Sequence, residues 1–85
     1  MILDVRSAGE FAAGHVPNAR HLPFWSPLVG MPRLDILPGE AIVVYCGHGP
    51  RAWIAAAALR ARGYGNVRLL RGHMRAWMAA GKPLE

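Results

Sequence analysis

Cysteine is almost absent from this chain: its 85 residues include one, Cys46. A single thiol excludes an internal disulfide framework and fits a reducing compartment. Long apolar runs are also missing. Nothing approaches the ~18 residues a membrane-spanning helix needs, so no membrane partner is expected. The opening Met1-Ile2-Leu3-Asp4-Val5-Arg6 has no basic region followed by an apolar core. It does not read as a signal peptide, and the expected location is cytoplasmic. Acidic residues are few, five against ten Lys and Arg, leaving a net charge of +5. The arginines are scattered from Arg6 to Arg75, without a dense run and without the interleaved aromatics of a stacking surface. That is a solvated, arginine-rich surface able to draw in small anions, and no nucleic-acid partner is expected. No pair of histidines has the spacing of a metal motif, so neither a metal nor another cofactor is expected.

Hydrophobic residues make up 53% of the chain, and glycine and proline cut them into short segments, which implies one folded domain over residues 1–85. Ile2 to Val5 reads as a short buried strand. Ser7-Ala8-Gly9-Glu10 has the spacing of a capping box and predicts a helix over Ala8 to Ala13, ended by Gly14. His15-Val16-Pro17-Asn18 is a turn before a second strand, Ala19 to Leu22. Pro23, Pro27 and Pro32 make the following stretch irregular, with one helical turn near Leu28 to Met31. Pro38-Gly39 leads into a third strand, Ala41 to Tyr45. The main helix is predicted over Arg51 to Arg62, with Ile54, Ala55, Ala58 and Leu59 on one face. After Gly63, Val67 to Leu70 supplies a fourth strand and Met74 to Ala80 a last helix. Strands alternating with helices indicate an α/β domain with a largely parallel sheet of about four strands.

In such sheets chemistry collects at the carboxyl ends of the strands. Asp4, Arg6, residues 46–51 and residues 72–75 fall there. Cys46-Gly47-His48-Gly49-Pro50-Arg51 joins an apolar strand to a helix, where unpaired N–H groups and the positive end of the helix dipole gather. Glycines at 47 and 49 let the loop curl round its first side chain and turn its N–H groups inward as an anion-binding nest. A thiol held there is expected as the reactive thiolate, aided by Arg51. The bland alternative is a buried cysteine acting as a small hydrophobe.

The Cys46 loop resembles the C-x-x-G-x-R active-site loop of single-domain rhodaneses, the sulfurtransferases. Leu3-Asp4-Val5-Arg6 resembles that family's L-D-V-R strand. Glu10-Phe11 with Gly14-His15-Val16-Pro17-Asn18-Ala19 resembles its E-F-x-x-G-H-I-P-G-A segment, and Gly72, Ala76-Trp77 and Ala80-Gly81 resemble its closing G-G-x-x-A-W…G. The resemblance implies a three-layer α/β/α fold and a persulfide mechanism. Cys46 takes sulfur from a small anionic donor such as thiosulfate and passes it to cyanide or a thiol. Gly47, His48, Gly49, Pro50 and Arg51 would bind the persulfide, with Arg51 fixing the loop and favouring negative charge. Asp4 and Arg6 match positions that support the loop from the neighbouring strand. His48 is open between touching substrate and being a plain turn residue. His15 and His21 are read as structural. His73 replaces the second glycine of the family's G-G, implying a narrower or more polar rim. Trp53 and Trp77 are read as core or rim packing.

Two rival functions remain on the same architecture. Phosphatases and arsenate reductases use a longer H-C-x-x-x-x-x-R loop, whereas Tyr45 precedes the cysteine here and four residues separate Cys46 from Arg51. Non-catalytic rhodanese-like modules often lack the cysteine that this chain has. The family also carries a strand and helix before L-D-V-R. By that topology the absent strand belongs beside Val67 to Leu70, and the edge left unpaired is expected to be covered by neighbouring loops or by a second copy, as a homodimer. Alternatively the chain is a shortened piece of a longer one.

Overall fold

A computed structural model of the chain describes residues 1–30 and 37–85. Four strands, β1 (Ile2–Asp4), β2 (Ala19–His21), β3 (Ile42–Tyr45) and β4 (Val67–Leu69), alternate with four helices. These are α1 (Ala8–Ala13), α2 (Ser26–Val29), α3 (Pro50–Ala61) and α4 (His73–Ala79). The sheet order is β2-β1-β3-β4 and every pair is parallel.

Side chains alternate across a strand, and that parity sorts the two faces of the sheet. Leu3, Val5, Ile42, Val44 and Cys46 share a buried cluster with Ala52, Ala55, Ala56 and Leu59 of α3. Tyr45 joins Val16, Ala19 and Met74 in a second cluster, with Ile2, Phe11 of α1 and Trp77 of α4 packed against it. Helices therefore cover both faces, and the fold has three layers. Burial on both sides is why β3 reads as an unbroken apolar run. The alanines of α3 let its backbone lie close to the sheet.

The capping box forms as the spacing predicts: Glu10 N–H donates to Ser7 Oγ, and Ser7 N–H donates to the Glu10 carboxylate, each at 3.2 Å. α1 has the predicted bounds, and the other elements begin and end within two residues of theirs. Of the helical turn predicted near Leu28 to Met31, Leu28 and Val29 lie in α2, which starts earlier with Pro27 in its first turn. Met31 lies outside the described residues.

Of the face predicted for α3, Ala55, Ala58 and Leu59 are buried, and Ile54 is the correction. Ile54 is 42% exposed, while Ala52 and Ala56 are buried. Residues 52, 55, 56 and 59 form an i, i+3, i+4, i+7 stripe, and Ile54 lies to one side of it. Trp53 is also outside the core, at 63% exposure. Trp77 is half-buried, and its indole N–H donates to Pro83 O at 2.8 Å.

Beyond α4 the chain returns to the turn before β2, where Glu85 N–H donates to His15 O at 2.8 Å. Among the described residues, no strand pairs with the outer edge of β4, and no helix is long and apolar enough to cross a membrane.

Candidate active site

The chain leaves β1 for α1 on one face of the sheet and leaves β3 for α3 on the other. Diverging connections open a crevice at the carboxyl ends of these two central strands. Asp4 and Tyr45, register partners at those ends, form its floor, and Cys46 follows Tyr45.

Asp4 is wholly buried and fully engaged. Its carboxylate accepts from Arg6 Nη2 at 2.7 Å, from the Arg6 backbone N–H at 2.9 Å and from the Tyr45 hydroxyl at 2.8 Å. Arg6 Nη2 also donates to Gly14 O at 2.7 Å, and the Tyr45 hydroxyl accepts from Val16 N–H at 3.0 Å. Burial pushes the Tyr45 phenol up to about 12, and its bond to Asp4 adds to the rise. Burial pulls the Arg6 guanidinium down, but hydrogen bonding to Asp4 and the Asp4 charge leave it raised. The network ties β1, β3 and the turn before β2 together beneath the cysteine. The Asp4 carboxylate has no acceptor site left for a substrate, and Arg6 is fixed beneath the loop through Nε and Nη2.

Cys46 is buried, and its Sγ accepts a hydrogen bond from Gly49 N–H at 3.0 Å. Closing the chain on itself within three residues depends on Gly49, whose φ of 135° is rarely open to a residue with a side chain. Pro50 then occupies the first turn of α3, where no amide proton is needed. The loop carbonyls are drawn away from the sulfur: Met74 N–H donates to Cys46 O at 2.9 Å, and Arg75 N–H donates to Gly47 O at 3.0 Å. Both donors belong to the first turn of α4, where N–H groups lack partners within the helix. The amides of Gly47 and His48 have no hydrogen-bond partner among the described residues, leaving donors for an anion at the loop. His48 is exposed at the loop tip.

Arg51 does not lie free over the loop. Its Nη1 and Nη2 donate to the two carboxylate oxygens of Glu10 at 2.7 and 3.1 Å. That fork draws the Glu10 carboxyl down to about 2, and the same bond raises Arg51. Glu10 thus serves twice, as the cap of α1 and as the clamp on the arginine of the cysteine loop. Only the first role is legible in the sequence, because nothing across a separation of 41 residues signals the second.

His73 is the other residue whose place the sequence left open. Its Nδ1 accepts from Cys46 N–H at 3.3 Å, and its Nε2 lies 3.5 Å from where a Cβ on Gly49 would stand. His73 has φ of 55°, in the left-handed region. For a residue with a side chain that conformation costs roughly 1–2 kcal/mol, which is why glycine suits the position. Gly72 precedes it at φ of 71°, where a Cβ would collide with Ala76. His15 and His21 are held to backbone carbonyls, Nδ1 of His15 at 2.9 Å from Phe11 O and Nε2 of His21 at 2.7 Å from Arg6 O. Among the described residues no three His, Cys, Asp or Glu side chains gather as metal ligands would.

A parallel α/β sheet with a thiol at the carboxyl end of a central strand, seated in a glycine loop, defines the rhodanese class of fold. Residues 1–80 match the rhodanese-like domain, and the chain belongs to that family. It is 36% identical over 84 residues to a sulfurtransferase of Allochromatium vinosum, covering 99% of this chain and 77% of that one. It is 37% identical over 79 residues to the thiosulfate sulfurtransferase GlpE of Pseudomonas putida strain GB-1, covering 93% and 70%. The rhodanese-like domain of the Anabaena protein Alr3790 superposes with a TM-score of 0.86 at 30% identity, over 100% of this chain and 97% of that one.

Proposed function

We propose that this protein is a sulfurtransferase in which Cys46 carries a sulfane sulfur from a small anionic donor, such as thiosulfate, to cyanide or a thiol. The carrying observation is the Gly49 N–H held 3.0 Å from Cys46 Sγ, in a loop whose carbonyls are tied back to α4. Such a seat favours negative charge on sulfur. In the first half-reaction the Cys46 thiolate attacks the outer sulfur of thiosulfate. A new S–S bond forms, the old one breaks, and sulfite leaves with its electron pair. The Cys46 persulfide keeps its negative charge within reach of the loop amides. In the second half-reaction an acceptor thiolate or cyanide attacks the terminal sulfur, and the Cys46 thiolate is released. This is ping-pong covalent catalysis.

Arg51 supports the reaction indirectly, by anchoring the loop to α1 through Glu10. Gly47 and His48 supply backbone donors, and Pro50 sets the start of α3. With four residues between Cys46 and Arg51, the cradle suits one sulfur better than a tetrahedral oxyanion, which disfavours phosphatase or arsenate reductase chemistry. The naming of the Pseudomonas putida relative for thiosulfate supports the choice of donor.

The test is thiosulfate:cyanide transfer set beside aryl-phosphate hydrolysis, with Cys46→Ser as the control. Thiocyanate formed by the wild type and not by the variant is expected. Phosphate release without thiocyanate overturns the assignment, and neither product would favour a binding module.

A further inference from the structure

Buried beside the cysteine loop is an imidazole that the mechanism above does not use. His73 is 8% exposed and stands in a left-handed backbone conformation that a glycine would adopt without strain. Strain kept in place by its surroundings points to a use for the side chain. The contact at that place is specific. The backbone N–H of the nucleophilic residue, Cys46, donates to His73 Nδ1. An imidazole nitrogen that accepts carries no proton, so the neutral ring bears its hydrogen on Nε2. Among the described residues Nε2 has no hydrogen-bond partner and is not a buried unsatisfied atom, so it touches solvent at the rim beside Gly49.

We propose that His73 is a positioning residue of the sulfur-transfer site, an acid-sensitive latch that in its neutral form holds the Cys46 amide and with it the loop. The inference rests on the sulfurtransferase reading only for its kinetic consequence; the latch itself is a property of the loop. Protonation puts a hydrogen on Nδ1, facing the Cys46 N–H donor to donor, and the bond is lost. The titratable groups facing the ring come from the loop, Cys46 and His48, while Arg71 and Arg75 on its own segment are exposed. Burial, and then the His48 charge, hold the His73 pKa below its ordinary 6.5. The latch is therefore closed at neutral pH and opens as pH falls below that value.

Two substitutions separate the latch from simple packing. His73→Gly relieves the backbone and removes the acceptor. His73→Asn tolerates the same backbone and offers Oδ1 where Nδ1 stood, an acceptor that does not titrate. For sulfur transfer at pH 8, His73→Gly should lose kcat about two- to tenfold, the weight of one net hydrogen bond, with KM less affected. His73→Asn should stay close to wild type. Below pH 6.5 the wild type should lose rate more steeply than either variant. An acid limb unchanged in His73→Gly overturns the proposal.

A readout free of activity is nitrogen NMR of labelled histidine with the Cys46 amide followed in parallel. It should show Nε2 protonated and Nδ1 bare at pH 8, and the Cys46 amide moving as His73 titrates. A proton on Nδ1 at pH 8, or an amide indifferent to that titration, contradicts the latch. The expected NMR pattern without any sulfur transfer would sink the proposed function and leave the latch standing.

Discussion

Arg51 closes both ends of its guanidinium on the carboxylate of Glu10, 41 positions earlier in the chain. The cysteine loop is thereby fastened on two sides. α4 holds its carbonyls, and α1, through Glu10, holds the arginine at its far end. The Arg51 charge reaches the sulfur from within an ion pair. The geometry of the fork matters as well as its charge, because planar, bidentate pairing is something lysine cannot copy.

Glu10→Gln isolates that fork, because glutamine still serves the capping box. Both side chains are about a third exposed, so the expected loss of stability is modest, toward the upper end of the ~0.2–1 kcal/mol of exposed pairs. Arg51→Lys should lose as much, since it keeps the charge without the fork. Urea midpoints measure both, and a lysine variant as stable as wild type would show that charge alone does the holding.

The pH dependence has a definite sign. Glu10 titrates at about 2 when folded, below the ordinary 4.5, so the fork contributes its full stabilisation above 4.5. That contribution is lost as pH falls from 4.5 through about 2. The stability advantage of wild type over Glu10→Gln should shrink across that window and be smaller in high salt. An advantage constant from neutral pH to pH 2 would contradict the account.

Tyr45→Phe tests the floor of the site. It strips one donor from the buried Asp4 carboxylate and leaves Val16 N–H without its acceptor. The expected cost is ~1–3 kcal/mol, or roughly 4–8 °C in Tm per kcal/mol for a domain of this size. Specific activity of the molecules that remain folded should change little, because neither group reaches the sulfur. Full stability with lost activity would place Tyr45 in the chemistry instead.

The packing of α3 is checked by a pair of truncations. Leu59 is fully buried, and Leu59→Ala should cost ~2–5 kcal/mol. Ile54→Ala, at a site 42% exposed, should cost well under half of that. Equal losses, read by chemical denaturation, would mean that α3 presents a different face to the sheet.

The parts of the fold that announce themselves in sequence are the local ones. Ser7 and Glu10 predict the start of α1 because a capping box is complete within four residues. Ile42 to Tyr45 predict a central strand because burial on both faces leaves no polar gap. The Cys46 loop is legible because glycines and a proline mark where the strand becomes a helix. What stays hidden depends on residues far apart. Asp4 with Tyr45, Glu10 with Arg51, and Cys46 with His73 meet only once the strands are in register. His73 was conspicuous as a ring in a glycine position, yet no sequence rule says what that ring accepts. Ile54 misled for another reason. A helix rich in alanine has little hydrophobic contrast, and a bulky Ile54 suggests a face that the smaller Ala52 and Ala56 in fact occupy.

The central claim is that Cys46 carries the sulfur, and intact mass after treatment with thiosulfate tests it most directly. The account predicts a gain of one sulfur atom on the wild type, removed by cyanide and absent from Cys46→Ser. A wild type that gains nothing, or a serine variant that gains as much, would contradict it.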